Sequence, residues 1–145
     1  MDRLKHYKIK AVFYVLGWLK FKEPDLYREI VTNGHIIGCH GYWHKHNETS
    51  DKPLFRSPYW DTTPMPWPPA GGFFLRAMPY PYLKWAVGKS GQMWIHPHDL
   101  DEGHPRLDNK LLDFKRHIGL KNSRNKLERL LKEIEWDLVS LPLKS

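Results

Sequence analysis

Two histidines, His40 and His44, stand four residues apart at the end of an apolar run, and a second short stretch, residues 94–99, ends in His96, Pro97, His98 and Asp99. If the chain turns helically after Gly41, the imidazoles at i and i+4 face the same way, within reach of one ion. Neutral imidazole suits Zn²⁺ and similar transition metals, and a hydrolytic centre needs one further protein ligand and an open position for water. Cys39 is the single cysteine, so a thiolate set lacks partners and the further ligand is expected to be a carboxylate. The competing reading is chance: the chain holds nine histidines, and two of them four apart need not share an ion.

The other polar groups carry less information. His46, His98, His104 and His117 read as surface or hydrogen-bonding residues, and His6 and His35 point to nothing beyond packing. Asp99 and Asp101 either orient the imidazole of His96 by hydrogen bonding or cap the turn that follows it. Arg56, Tyr59, Trp60 and Asp61 offer a cation, an aromatic wall and a carboxylate, set against the reading of a proline-rich loop held by aromatic packing.

The elements that must position these groups begin with residues 2–7, readable as the tail of a helix. Residues 11–16, Ala-Val-Phe-Tyr-Val-Leu closed by Gly17, form a short apolar run without alternation, which suits a strand covered on both faces in a parallel sheet. Residues 24–31 place Leu26, Ile30 and Val31 at helical spacing, with Pro24 in the first turn and Asn33-Gly34 as the stop. Residues 35–39 read as a second buried strand, so strand, helix and strand make a right-handed βαβ unit. Ligand sites in such sheets gather at the carboxyl ends of strands, and His40 follows one expected strand directly.

Residues 47–72 differ in kind: six prolines between Pro53 and Pro69, with Tyr59, Trp60 and Trp67 among them, exclude a helix, and the aromatics favour an ordered loop over a linker. Residues 73–75 resume an apolar run, residues 79–87 read as a helix stopped by Gly88, and residues 92–95 as a third strand that delivers His96 to the same rim as His40. Residues 111–118 and 126–134 are expected to be helical, the latter with Ser123 as its N-cap, before an extended tail over 136–143.

At 145 residues the chain is about one domain long. Its 41% apolar and 27% charged content is globular, with no internal repeat. The net charge of +7 raises a nucleic-acid partner, but Arg116 to Lys132 interleaves its cations with Glu128 and Glu133 at helical spacing, as a solvated helix face does. The expectation is therefore no nucleic-acid partner. No stretch approaches the ~20 apolar residues of a membrane span, the start lacks the apolar core of a signal peptide, and one cysteine suits a reducing compartment, so a cytoplasmic protein is the default.

Several segments in order resemble the NodB-type polysaccharide deacetylases. Residues 10–18, Lys-Ala-Val-Phe-Tyr-Val-Leu-Gly-Trp, are similar to that family's K-A-T-F-F-V-L-G strand, and residues 34–44 to its G-H-E-I-x-x-H-x-x-x-H segment. Residues 70–80, then 95–101 and 105–107, and finally 128–131, resemble the C-terminal half of the subgroup associated with exopolysaccharide systems. The resemblance implies an α/β fold, a distorted (β/α) barrel, and removal of N-acetyl groups from the amino sugars of a polysaccharide or oligosaccharide. It implies that His40 and His44 hold a divalent metal, usually Zn²⁺, at which water attacks the acetyl carbonyl, and that His96 is the catalytic acid for the leaving amine.

The chain departs from that pattern at two places. The family's T-F-D-D motif, source of the third metal ligand and of the aspartate base, precedes the strand matching residues 11–16, yet here only ten residues precede Ala11, and Asp2 stands in no such motif. Eleven residues separate His44 from Arg56, so Arg56-Ser57-Pro58 is either the family's R-x-P motif with its lead-in deleted or a chance match. Arg56, Tyr59 and Trp60 are the candidate substrate-binding residues. The expectation is a single, incomplete domain over 1–145 with a partial barrel, whose missing carboxylate a subunit partner or Asp61 would supply. The alternative is a catalytically inactive remnant that binds carbohydrate or a protein partner.

Overall fold

The computed structural model describes residues 2–43 and 67–136. They fall into two compact units, the first holding residues 2–43 with 136 and the second residues 67–135. Together they mix helix and strand.

The first unit opens with helix α1, Asp2–His6, which closes when Lys8 takes a positive φ of 57° and turns the chain toward strand β1, Val12–Val15. Helices α2, Leu19–Lys22, and α3, Pro24–Thr32, lead to strand β2, Ile36–Cys39. The strands pair in parallel, Val12 opposite Ile36 and Val15 opposite Cys39, so the βαβ unit expected from the apolar runs is present. Proline opens α3, where its missing N–H is not needed, and Gly34 at φ 73° ends it with its N–H on the Val31 carbonyl at 2.8 Å. Ile9, Val15, Ile30 and His35 are the buried side chains. Gly38 sits under the Tyr14 ring, and a Cβ there would lie 2.7 Å from Cδ1, so only glycine lets this register close.

The second unit contains helix α4, Phe73–Ala77, helix α5, Tyr80–Ser90, a 3₁₀ turn at Pro97–Asp99, helix α6, Lys110–His117, and helix α7, Leu120–Glu133. Leu75, Leu83, Ala86, Val87, Leu120 and Leu130 form its core. A five-residue helix cannot stand alone in water. Helix α4 is held because it packs on α7 and because Lys126 Nζ donates to the carbonyls of Leu75, Arg76 and Met78 at 3.2, 2.8 and 2.7 Å. Burial pushes this ammonium below the usual lysine value.

Four sequence expectations need correction here. Residues 92–95 belong to neither a strand nor a helix. Their neighbour is the Gly71 backbone, where a Cβ would come within 1.7 Å of the Trp94 carbonyl oxygen, and Trp94 is exposed and Ile95 only partly buried, unlike a strand covered on both faces. Strand β1 is not covered on both faces, since Tyr14 on it is exposed. Helix α5 runs through Gly88 and stops at Gly91, whose φ of 66° supplies the left-handed cap. Ser123 is no N-cap: α7 begins at Leu120, and Ser123 is buried inside it with Oγ donating to the Leu120 carbonyl at 2.7 Å. Leu120 and Leu130 share the buried face that dictates the longer helix.

No helix among the described residues is long and apolar enough to cross a membrane.

Candidate functional site

His40 stands at the carboxyl end of β2, partly buried, in the position the apolar run predicts. Its N–H donates to the Val15 carbonyl at 3.1 Å, which extends the parallel ladder one residue past the strand. The next residue, Gly41, has φ 79° and accepts from the Gly17 N–H at 2.8 Å, so the ends of β1 and β2 are tied together. A neutral imidazole at such a strand end is a suitable donor for a divalent ion. His44, Arg56, Tyr59 and Trp60 lie outside the described residues.

Trp18 follows β1 and Trp43 follows β2, and with Phe21 and Lys22 they line an open concave surface at these strand ends. Lys22 Nζ stands 5.5 Å from the Trp18 ring centroid, and Tyr42 meets Trp43 edge-on at 4.8 Å. Sequence reasoning placed the aromatic wall in the proline-rich stretch and missed this one. The signal was available, since each tryptophan follows an expected strand within a few residues.

His35 is structural. It is buried, its Nδ1 accepts from the Ala11 N–H at 3.3 Å, and its ring lies 5.1 Å from Phe13. Burial, then the nearby Lys10 cation, lowers its pKa.

In the second unit His96 follows residues 92–95 and begins the 3₁₀ turn. Its N–H donates to Asp99 Oδ2 at 2.8 Å, and its Nδ1 lies 3.6 Å from the same oxygen. Asp99 thus both caps the turn and faces the imidazole, the two roles that the sequence left open. The carboxylate is buried and paired with the equally buried Arg76, Nε to Oδ1 at 2.9 Å. Arg76 Nη1 also donates to the carbonyls of Lys115, at 2.7 Å, and Arg116. One guanidinium therefore connects α4, the His96 turn and the end of α6.

His98 stacks on His96 with centroids 5.1 Å apart and planes 15° from parallel, its Nε2 3.7 Å from Asp99 Oδ1. Burial lowers the His98 pKa; the Asp99 carboxylate opposes this, while His96, Arg116 and Arg76 add to it. Among the described residues, His96, His98 and Asp99 are the group of three metal-ligating side chains that converges, with one ligand atom of each within 4.8 Å of the others.

The imidazoles continue through His104, 6.1 Å from His98, to His117, 6.1 Å further. These last two are fixed by hydrogen bonds, as expected for them. Arg116 Nη1 meets His104 Nε2 at 2.7 Å, His117 Nε2 meets the His104 carbonyl at 3.1 Å, and His117 Nδ1 meets Asp113 Oδ1 at 3.0 Å. The Leu107 N–H, then Arg106 and His117, hold the Asp113 carboxyl below its usual value against the opposing effect of burial.

Two family matches overlap along the chain. Residues 40–143 match the family described as Domain of unknown function (DUF3473), and residues 1–62 match the family described as Polysaccharide deacetylase. The chain belongs to the first of these families, and its N-terminal part is similar to the polysaccharide deacetylases. A Peptidoglycan-N-acetylglucosamine deacetylase of Bacillus cereus is 41% identical over 44 residues, which is 30% of this chain and 16% of the relative's length. No solved structure matches the chain.

Proposed function

We propose that the chain is a metal-dependent hydrolase that removes N-acetyl groups from the amino sugars of a polysaccharide, breaking a non-peptide carbon–nitrogen bond. The observation that carries this reading is His40 at the carboxyl end of β2, inside the stretch that matches the polysaccharide deacetylases. In this reading the parallel pair is part of an incomplete, distorted (β/α) barrel, and the two units are parts of one domain. His40 and His44 would hold a divalent cation, Zn²⁺, which supplies activation of water and stabilises the negative charge that develops on the acetyl oxygen.

The remaining work falls to side chains. His96, its turn fixed by Asp99, delivers a proton to the departing amine, which otherwise leaves as a strongly basic amide anion. The flat apolar faces of sugar rings stack on aromatic surfaces, and Trp18, Phe21 and Trp43 offer one at the strand ends. Arg56, Tyr59 and Trp60 complete the substrate contacts. The name of the Bacillus cereus relative supports an N-acetylglucosamine-containing glycan as the substrate class.

The test is acetate release from an N-acetylated glycan by the metal-loaded full chain, with metal content measured alongside. Zinc binding and acetate release are expected, and a His40→Ala, His44→Ala variant should lose the acetate release together with one equivalent of bound zinc. A chain that binds no metal and releases no acetate, yet retains glycan affinity, would instead be a carbohydrate-binding relative of the deacetylases.

A further inference from the structure

We propose that His96, His98 and Asp99 form a second divalent-metal site, selective for ions that favour imidazole such as Zn²⁺ or Cu²⁺, and that filling it silences the enzyme. The inhibitory half rests on the catalytic reading of His96 given above; the binding half does not.

The argument begins with the donor set. Two imidazoles and one carboxylate are a ligand combination that zinc accepts in open sites, with water completing the coordination. Here the three donors come from four consecutive residues, His96 to Asp99, bent into one turn so that they converge rather than radiate. Asp99 Oδ2 lies 3.6 Å from His96 Nδ1 and Oδ1 lies 3.7 Å from His98 Nε2. In a tetrahedral zinc site, bond lengths near 2.0 Å put ligand atoms about 3.3 Å apart, so each imidazole is within a few tenths of an ångström of the required distance to one carboxylate oxygen, and the exposed rings have room to draw together from their present separation within 4.8 Å.

Access and orientation also fit. The Asp99 side chain is 1% exposed, whereas those of His96 and His98 are 44% and 40% exposed, so the imidazoles form a solvent-facing cover over a buried carboxylate. An ion arriving from water meets both rings first. Arg76 already fixes the carboxylate through Oδ1, the kind of outer-shell contact that orients a metal ligand. Its positive charge opposes a cation at the same place, which weakens the site and suits one that responds to excess metal.

The consequence for catalysis is a change in the state of one atom. An ion on His96 Nδ1 ties the ring to His98 and Asp99 and pins its orientation, so the imidazole can no longer turn to meet the departing amine. Excess Zn²⁺ should therefore inhibit in a way that His98→Ala relieves.

The experiment uses the full chain in a His40→Ala, His44→Ala background, which isolates this site from the proposed catalytic metal. Zn²⁺ is titrated against a chromophoric chelator, and Cu²⁺ is bound for electron paramagnetic resonance. One ion with nitrogen hyperfine coupling is expected, and adding His98→Ala should weaken it by about tenfold or more. His98 is partly exposed, so this variant folds, and an unchanged far-ultraviolet circular dichroism spectrum verifies that. Absence of a bound ion, or an affinity unmoved by His98→Ala, overturns the site. A wild-type chain that releases acetate without binding a second ion overturns this proposal and keeps the hydrolase; an ion bound here in a chain that releases no acetate keeps the site and removes the inhibition.

Discussion

Arg76 Nε and Asp99 Oδ1, 2.9 Å apart and both buried, form the ion pair that fastens the His96 turn to helices α4 and α6. Removing one partner leaves the other charge in a place water does not reach. Arg76→Met strands the Asp99 carboxylate together with the carbonyls of Lys115 and Arg116, and a loss of about 3–5 kcal/mol is expected in urea unfolding. Replacing both, Arg76→Met with Asp99→Leu, removes the charges together and should cost less than the sum of the single changes. Strict additivity would show that the pair is not coupled.

Gly71 bears on the same turn from the other side. Its missing side chain lets the Trp94 backbone approach so closely that a Cβ would lie 1.7 Å from the carbonyl oxygen and 2.7 Å from the carbonyl carbon. Gly71→Ala must therefore displace residues 94–96 rather than a flexible side chain. Overpacking of this kind costs about 1–3 kcal/mol. Hydrogen exchange should report it first, at the His96 N–H, whose bond to Asp99 Oδ2 would open.

Acid should loosen the α5–α7 contact. The hydrogen bond from Lys84, then the nearby Tyr80 hydroxyl, hold the Glu133 carboxyl down to about 2, against an opposing effect of burial, with the Lys84 charge and Arg129 adding to the lowering. Arg129 in turn lies over the Tyr80 ring, 3.7 Å from its centroid. The folded value lies below the unfolded one of 4.5, so Glu133 contributes stability above that value, and the contribution disappears as pH falls from 4.5 toward 2. Glu133→Gln should flatten the acid limb of a plot of urea midpoint against pH over that window. An unchanged limb would assign the acid sensitivity elsewhere.

His35 gives the first unit a landmark of the same sign, nearer neutrality. Its folded pKa is below the ordinary 6.5, so the unfolded chain binds the proton more tightly and stability is reduced as pH falls below about that value. Stability therefore rises as pH climbs through the window and levels off once the unfolded imidazole is neutral too. Exchange of the Ala11 N–H, which Nδ1 accepts, is the local readout. It should slow with rising pH, after correction for intrinsic chemistry, and a His35→Gln variant should lose that dependence.

The parts of the fold legible in the sequence are those whose signals are local. Strands β1 and β2 announce themselves as short apolar runs, although Tyr14 stays exposed, and α3 carries Pro24 at its start and Gly34 at its stop within one helix length. His40 follows from them, since it is the next residue after a strand. The Arg76–Asp99 pair was not legible: its partners are 23 residues apart, and no period connects them. Residues 92–95 misled because a hydrophobic run specifies burial, not a hydrogen-bonding neighbour, and here the neighbour is a glycine backbone. The start of α7 misled for a related reason, as Ser123 has the side chain of a cap yet sits on the buried face of a longer helix.

Replacement of His96 tests its role as the acid. His96→Ala leaves the buried pair beneath it intact, because Asp99 accepts from the backbone N–H of residue 96 and not from its imidazole nitrogen alone. The variant should therefore fold. General acids contribute about 10²–10⁴-fold, so kcat for acetate release should fall by that factor while KM changes little. A second substrate separates this role from a positioning one: an N-acyl sugar whose leaving amine is made less basic needs less protonation, so the variant should recover most of its lost rate on it. Equal losses on both substrates would show that His96 holds the glycan rather than protonates it.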